Sequence, residues 1–251
     1  MNEVEALNNT LPKDIHCFGM KRVTPTFDAK SQCDSRTYCY TLPTLSFAPF
    51  NHQSTLQTYR APRERTDRVN EVLQQFIGRK NHANFTVRMM NYNPSAIRHI
   101  LSFECGEPFV LNGVEFAVIK VHGKSFMLHH IRKMLGLVLA VVRELVEPEI
   151  IATAFTQKKV FTPMVPALGL VLDQQHFRKY DRNFGSIHGS LEFAEHLEAV
   201  EDFREKFIHP VIINTEIETN SMVGWLETIG DHNYYGTDTD SDPNERVAHV
   251  E

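Results

Sequence analysis

The stretch from Ile97 to Leu145 constrains the fold more than any other part of the 251 residues. Residues 97–105 (IRHILSFEC) and 114–122 (VEFAVIKVH) alternate apolar with polar side chains, the period of a half-buried strand. Pro108, Asn112 and Gly113 lie between them and supply turn chemistry, so the two strands are predicted to pair antiparallel. After Gly123 the period changes. Leu128, Ile131, Leu135, Val138, Leu139 and Val142 recur at helical spacing, which predicts a helix over 126–145 capped by Ser125. Its other side, with His129, Arg132, Lys133 and Arg143, is expected to be partly polar. A helix with such a stripe must lay it on an apolar surface, and a sheet joined by short turns provides one. The predicted fold class is α+β, a mostly antiparallel sheet with helices packed on one face.

The flanks fit that plan. Residues 14–23 and 35–42 read as strands, and 43–62, with three prolines, as a loop or insertion. Pro62 opens a helix over 63–77 with Val69, Leu73 and Phe76 as its stripe and Gly78 as its stop. A short helix is predicted over 148–156, a strand over 169–177, and helices over 191–207 and 216–229. From Gly230 the chain is polar and acidic, which predicts a disordered tail over 230–251.

Composition narrows the function classes. At 42% hydrophobic residues the chain can build its own core. No stretch of about 18 apolar residues lacks a charge, so no transmembrane helix is expected. The first residues, Met1 to Glu5, have neither a basic nor an apolar region of a secretory signal. Cys17, Cys33, Cys39 and Cys105 form no C-x-x-C pair, which argues for free thiols in a reducing compartment. The net charge of −5 hides an asymmetry. Residues 1–145 carry 18 lysines and arginines against 12 acids, and residues 146–251 carry 8 against 19. An anionic partner for the basic half is one reading, and a solvated surface with an acidic tail is the other.

Three local signals are set aside. Gly123-Lys124-Ser125 ends like a phosphate loop, but Val118 stands where that loop needs glycine. His129 and His130 point about 100° apart on a helix, whereas a helical metal pair needs i, i+4 spacing, so no metal site is expected. Arg65-Thr66-Asp67 falls in the first turn of an amphipathic helix, where an aspartate is favoured by the helix dipole.

Four segments in a fixed order carry a resemblance. They are LPKDI (11–15), CDSRTYCY (33–40), FAVIKVHGKSFMLHHIRKMLG (116–136) and PALGLVL (166–172). Together they resemble the TruA-type tRNA pseudouridine synthases, most closely the eukaryotic branch, from about Leu7 to about Leu226. The resemblance implies RNA bound in a cleft between two similar halves, and isomerisation of uridine to pseudouridine without a cofactor. An aspartate attacks the nucleoside, the N-glycosidic bond breaks, and the base turns and rejoins through C5. The base must leave its stack to be reached.

Position by position, the resemblance implies that Tyr38 packs on the target base and assists proton removal. It implies that Arg132 pairs with the catalytic aspartate, work suited to a guanidinium that stays charged and binds carboxylates bidentately. Phe126 corresponds to an apolar residue of the base pocket, and Leu168-Gly169-Leu170 to the segment closing it. Arg36 and Lys133 are expected phosphate contacts, and His129 is included among the substrate-binding residues. The family's nucleophile sits in an R-T-D-(A/K)-G-V-(S/H)-A segment upstream of L-P-x-D-I, and no such segment precedes Leu11. The expectation is a chain that covers the C-terminal part of the catalytic region. The division is then 1–62 for the end of an N-terminal portion with central strands and an inserted loop, 63–229 for the C-terminal synthase domain, and 230–251 for the tail. The competing reading is an inactive RNA-binding chain that keeps the base pocket. Neither Asp67 nor Asp34 fits the nucleophile's motif. A second departure lies at 78–86, where relatives show G-T-H-(D/N)-F-x-x-F and this chain has Lys80 and His82 in place of a histidine and a phenylalanine. The expected partner is tRNA or another structured RNA, the expected compartment the nucleus or mitochondrion; monomer and homodimer stay open.

Overall fold

The computed structural model describes residues 3–87 and 93–236. A short helix α1 (Glu3–Asn8) leads into a long segment without regular structure, followed by β1 (Ser35–Pro43), α2 (Arg63–Gln74), β2 (Gly78–Asn81), β3 (Ile97–Cys105), β4 (Phe109–Leu111) and β5 (Val114–Gly123). Then come α3 (His130–Val142), α4 (Glu149–Ala154), β6 (Leu170–His176), α5 (Arg178–His188), α6 (Leu197–Phe203), α7 (His209–Thr219) and α8 (Ser221–Thr228). The strands form one antiparallel sheet in the order β2-β3-β5-β1-β6, with β4 paired to β5. The β4–β5 turn is made by Asn112 and Gly113, both at positive φ, the conformation that the Asn-Gly pair predicts. The architecture is the predicted α+β type.

Register decides which residues meet. Tyr38 lies opposite Val121 of β5 and Leu172 of β6, and Tyr40 lies opposite Ile119 and Leu170. Residues two apart share a face, so Tyr40, Leu42, Ile119 and Val121 build one apolar surface, the base of the main core under α2 and α3. A smaller cluster of Val114 and Phe116 with Leu56 and Ile213 places α7 against the alternate residues of β5, on the opposite face.

α3 differs from its sequence-based expectation in two ways. It starts at His130, not near 126, because His129 adopts a left-handed conformation (φ 57°) and no side chain caps the first turn. Leu128, assigned to the buried stripe, is 59% exposed as a result. The side predicted to be polar is also covered: every residue from His130 to Val142 is buried, Arg132 and Lys133 included. The chain at 160–165 crosses that side. Gly136 makes the crossing close, since a Cβ there would come 1.9 Å from the Pro163 carbonyl oxygen.

Elsewhere, residues 14–23 alternate like a strand but join no sheet. Their continuation docks by side chains, Val23, Phe27 and Cys33 packing on Phe177, Tyr180 and Leu191. Strand propensity there is overridden by side-chain docking. α5 was not expected; it begins directly after β6 on Phe177, without a side-chain cap. The helix predicted over 216–229 is broken at Asn220 (φ 50°), which ends α7 and starts α8. The start of the supposed tail is ordered: Tyr234 is buried in the main core, and Tyr235 bridges Val160. One buried phenol outweighs the polar composition around it. The rest of that tail, 237–251, lies outside the described residues.

Candidate functional site

β5 ends at Gly123, and this glycine shapes the chain's path toward α3. A Cβ there would lie 2.8 Å from Cζ of Phe126, so the glycine leaves room for the Phe126 ring over the strand end. The ring then meets Tyr38 edge-on, at 5.2 Å between centroids and 80° between planes. That is a favoured aromatic geometry. Both rings are half-buried at the margin of the main core. Next to Tyr38 on β6, Leu172 is 42% exposed, so the apolar face here is open where the helical cover stops. Arg36 precedes Tyr38 by two residues and takes the same face; its guanidinium donates to the Lys30 carbonyl at 3.2 Å.

Arg132 sits in the first turn of α3 and is 7% exposed. Its Nε donates to the Val165 carbonyl at 2.8 Å, and the Val165 amide donates back to the Arg132 carbonyl at 3.3 Å. The next residue, Pro166, accepts the Tyr40 hydroxyl at 2.7 Å. Burial pushes the Tyr40 phenol far up, opposed by the nearby Arg132 charge. Tyr38, Tyr40 and Arg132 therefore belong to one side of the sheet, connected through Phe126 at one end and the 165–166 backbone at the other. The loop then turns at Ala167, whose carbonyl accepts from Leu170, and Gly169 presses on β1. The Gly169 carbonyl accepts from Thr41, and a Cβ on Gly169 would come 2.1 Å from the Thr41 oxygen. Leu168 stays half-buried beside it.

The sequence-derived residues thus divide. Tyr38, Phe126, Arg36, Leu168 and Gly169 gather around β1, with Arg132 behind them. His129 is half-buried at the helix start. Lys133 is 0% exposed, so no phosphate reaches it in this structure. Helical geometry explains the difference: at the residue after Arg132 the side chain turns about 100°, here into the core. Of the two aspartates considered, Asp34 accepts the Lys179 amide at 2.7 Å, and Asp67 is an exposed partner of Arg63 at 3.8 Å.

One pair was missed as a pair. His130 Nε2 lies 2.9 Å from His82 Nδ1, with both rings buried among Phe85, Phe126 and Phe155. Burial, with Lys80 and Arg98 as the nearby charges, pushes His82 down to about 3, and burial holds His130 well below its ordinary value. His82 therefore packs as a neutral ring at the position where the resemblance leads one to expect phenylalanine. Its departure from the pattern was the available signal; that it meets His130 needed the fold.

Known proteins share much of this sequence. Residues 72–178 match the family described as tRNA pseudouridine synthase. The chain is 43% identical over 236 residues to the pseudouridylate synthase 1 homolog of Mus musculus, covering 93% of this chain and 56% of that protein. It is 44% identical to the Homo sapiens pseudouridylate synthase 1 homolog, at 93% and 55% coverage. The tRNA pseudouridine synthase 1 of Yarrowia lipolytica is 32% identical over 192 residues, 75% of this chain and 36% of that protein. The chain spans about half the length of the two mammalian relatives.

Proposed function

Because this chain belongs to the TruA-type tRNA pseudouridine synthase family, we propose that it is the part of an RNA pseudouridine synthase that receives the flipped uridine. The observation that carries this reading is the Tyr38–Phe126 pair at the open end of the sheet. Two half-buried rings beside an exposed Leu172 offer a base an apolar seat, and stacking offsets the cost of leaving the helix. Arg36 stands at the rim for a phosphate. Arg132 orients the attacking carboxylate and keeps it ionised, with the Nε bond to Val165 fixing the plane of the guanidinium.

The nucleophilic aspartate comes from outside these residues. Asp34 and Asp67 are bound elsewhere, and Asp173 is held between Lys120 and Arg204 on the other face of the sheet. The substrate is tRNA or another structured RNA, and the compartment is the nucleus or mitochondrion, a reading supported by the eukaryotic relatives and four free thiols. The same carboxylate positions favour a second reading for the chain acting alone, an RNA-binding protein without turnover. Both are tested by incubating the chain with uridine-containing tRNA. Salt-sensitive retention of tRNA with no pseudouridine is the expected result. Pseudouridine made at an enzymatic rate by these residues alone refutes the external aspartate, and the absence of tRNA binding at low salt refutes the RNA reading.

A further inference from the structure

On the face of the sheet away from Tyr38, four side chains close over the start of β1. His122 of β5 reaches Ser35, its Nε2 lying 2.8 Å from the hydroxyl. His176 of β6 reaches Thr37, its Nε2 also 2.8 Å from the hydroxyl. The two rings meet above β1 at 4.5 Å between centroids and 38° between planes. Ser35, Thr37 and His176 are buried, and His122 is half-buried, so the cluster is built into the sheet and opens along the His122 side. Neither ring engages a described residue through Nδ1.

The charges around this cluster are mixed, one guanidinium against two carboxylates that are engaged with other cations. His122 faces His176 and Arg178; His176 faces Arg178, with Glu192 and Asp173 as its acidic neighbours. Glu192 stands 4.0 Å from Arg178, and Asp173 is bound to Lys120 and Arg204. Burial first holds both imidazoles below their ordinary values, helped at His122 by His176 and Arg178 and at His176 by Arg178, against the opposing pull of Glu192 and Asp173. Neither imidazole is hydrogen-bonded to a carboxylate among the described residues, so each ring, once protonated, is left for an anion to pair with.

Donor accounting identifies the kind of anion. In a neutral ring Nε2 can accept the hydroxyl proton, so the hydroxyls point inward. In an imidazolium Nε2 must donate to the hydroxyl oxygen, which turns the hydroxyl proton outward and makes Nδ1 a second donor. Protonation therefore converts the cluster into a set of O–H and N–H donors within the electrostatic reach of Arg178, suited to a group with several acceptor oxygens. We propose that Ser35, Thr37, His122, His176 and Arg178 form a phosphate site that takes up protons as it fills, and that its ligand is a backbone phosphate of the RNA substrate. The assignment to RNA rests on the function proposed above; the phosphate chemistry does not.

The test follows the imidazole C2–H resonances of His122 and His176 against pH, alone, with inorganic phosphate, and with tRNA. Both anions are expected to raise both midpoints by about one pH unit. tRNA is expected to bind up to about tenfold more tightly at pH 6 than at pH 7.5 for each group that takes up its proton. His122→Gln, at the more exposed position, is expected to abolish the shift at His176 and flatten the pH dependence. His176→Asn serves as the second variant, and circular dichroism checks that each is folded. Midpoints unmoved by either anion while tRNA is retained overturn the proposal, and so does a shift with phosphate but none with tRNA. Failure of the function reading looks different: tRNA is not retained at any pH, and the phosphate titration still decides whether the anion site exists.

Discussion

His82 and His130 share one hydrogen bond, Nδ1 to Nε2 at 2.9 Å, and each ring's other nitrogen is buried without a partner. Whichever ring donates, one unpaired donor and one unpaired acceptor remain. The pair is stable only while both rings are neutral, since Lys80 and Arg98 are the charges nearby. The unfolded chain protonates both rings near pH 6.5, whereas folded His82 resists protonation down to about 3. Over that window the unfolded state binds more protons, so stability is full above pH 6.5 and falls as pH falls. The expected slope is about 1.4 kcal/mol per pH unit for each imidazole. Urea unfolding between pH 7 and 5 measures it. His82→Phe with His130→Leu is expected to flatten the dependence, and an unchanged slope in that double variant would show that other groups are responsible.

Arg65 and Asp67 are neighbours in sequence with opposite expected effects. Arg65 Nε donates to the Phe47 carbonyl at 2.9 Å, one terminal amine to the Val142 carbonyl at 2.8 Å, and the other to Glu144 at 2.8 Å. It fastens the start of α2 to the end of α3. Arg65→Met is expected to lower stability by about 2–3 kcal/mol, because buried carbonyls lose charged donors. Asp67 is exposed and pairs loosely with Arg63. Asp67→Ala is expected to stay within about 0.5 kcal/mol of the parent and to leave tRNA binding unchanged. Thermal unfolding of the two variants separates a structural arginine from a surface aspartate; a loss of RNA binding in Asp67→Ala would return that residue to the site.

The central strands and α2 follow from period and spacing, because each depends on residues close in sequence. β3, β5 and the Asn112-Gly113 turn are of this kind. What needed the fold depends on contacts across long separations. That Arg132 is buried is decided by the 160–165 segment crossing α3. That Tyr234 belongs to the core is decided by Phe161, whose amide donates to the Tyr234 carbonyl at 3.0 Å. The His122–His176 contact spans three strands whose order the sequence did not state. For the candidate site, the residue types came from the family resemblance, and their arrangement around β1 came from register.

Gly136 tests the crossing directly. Its absent side chain lets the Pro163 carbonyl approach α3, and a methyl group would have to occupy space 1.9 Å from that oxygen. Helix propensity alone favours alanine over glycine by about 1 kcal/mol, so a surface glycine would gain from the change. Here the clash decides the sign. Gly136→Ala is expected to lower stability by about 1–3 kcal/mol, the range for overpacking a close-fitted core. It is also expected to loosen the Arg132–Val165 contact four residues away. A stabilised variant in thermal unfolding would mean that the 160–165 segment moves off the helix at little cost.

Tyr38 and Phe126 can be separated by what each ring contributes. Phe126→Leu removes the edge-on contact and is expected to cost about 0.5–1.5 kcal/mol in stability beyond lost area. It should also weaken retention of tRNA by a stacking increment of about 1–3 kcal/mol. Tyr38→Phe keeps the ring and the contact at 5.2 Å, so tRNA binding by this chain is expected to stay within about twofold of the parent. Its effect is expected on turnover, measured in an enzyme whose other part supplies the aspartate, because only the hydroxyl can assist proton removal. Tyr38→Leu should lose both. Equal turnover in Tyr38→Phe and the parent would confine Tyr38 to stacking, and equal tRNA retention in Phe126→Leu would remove Phe126 from the base seat.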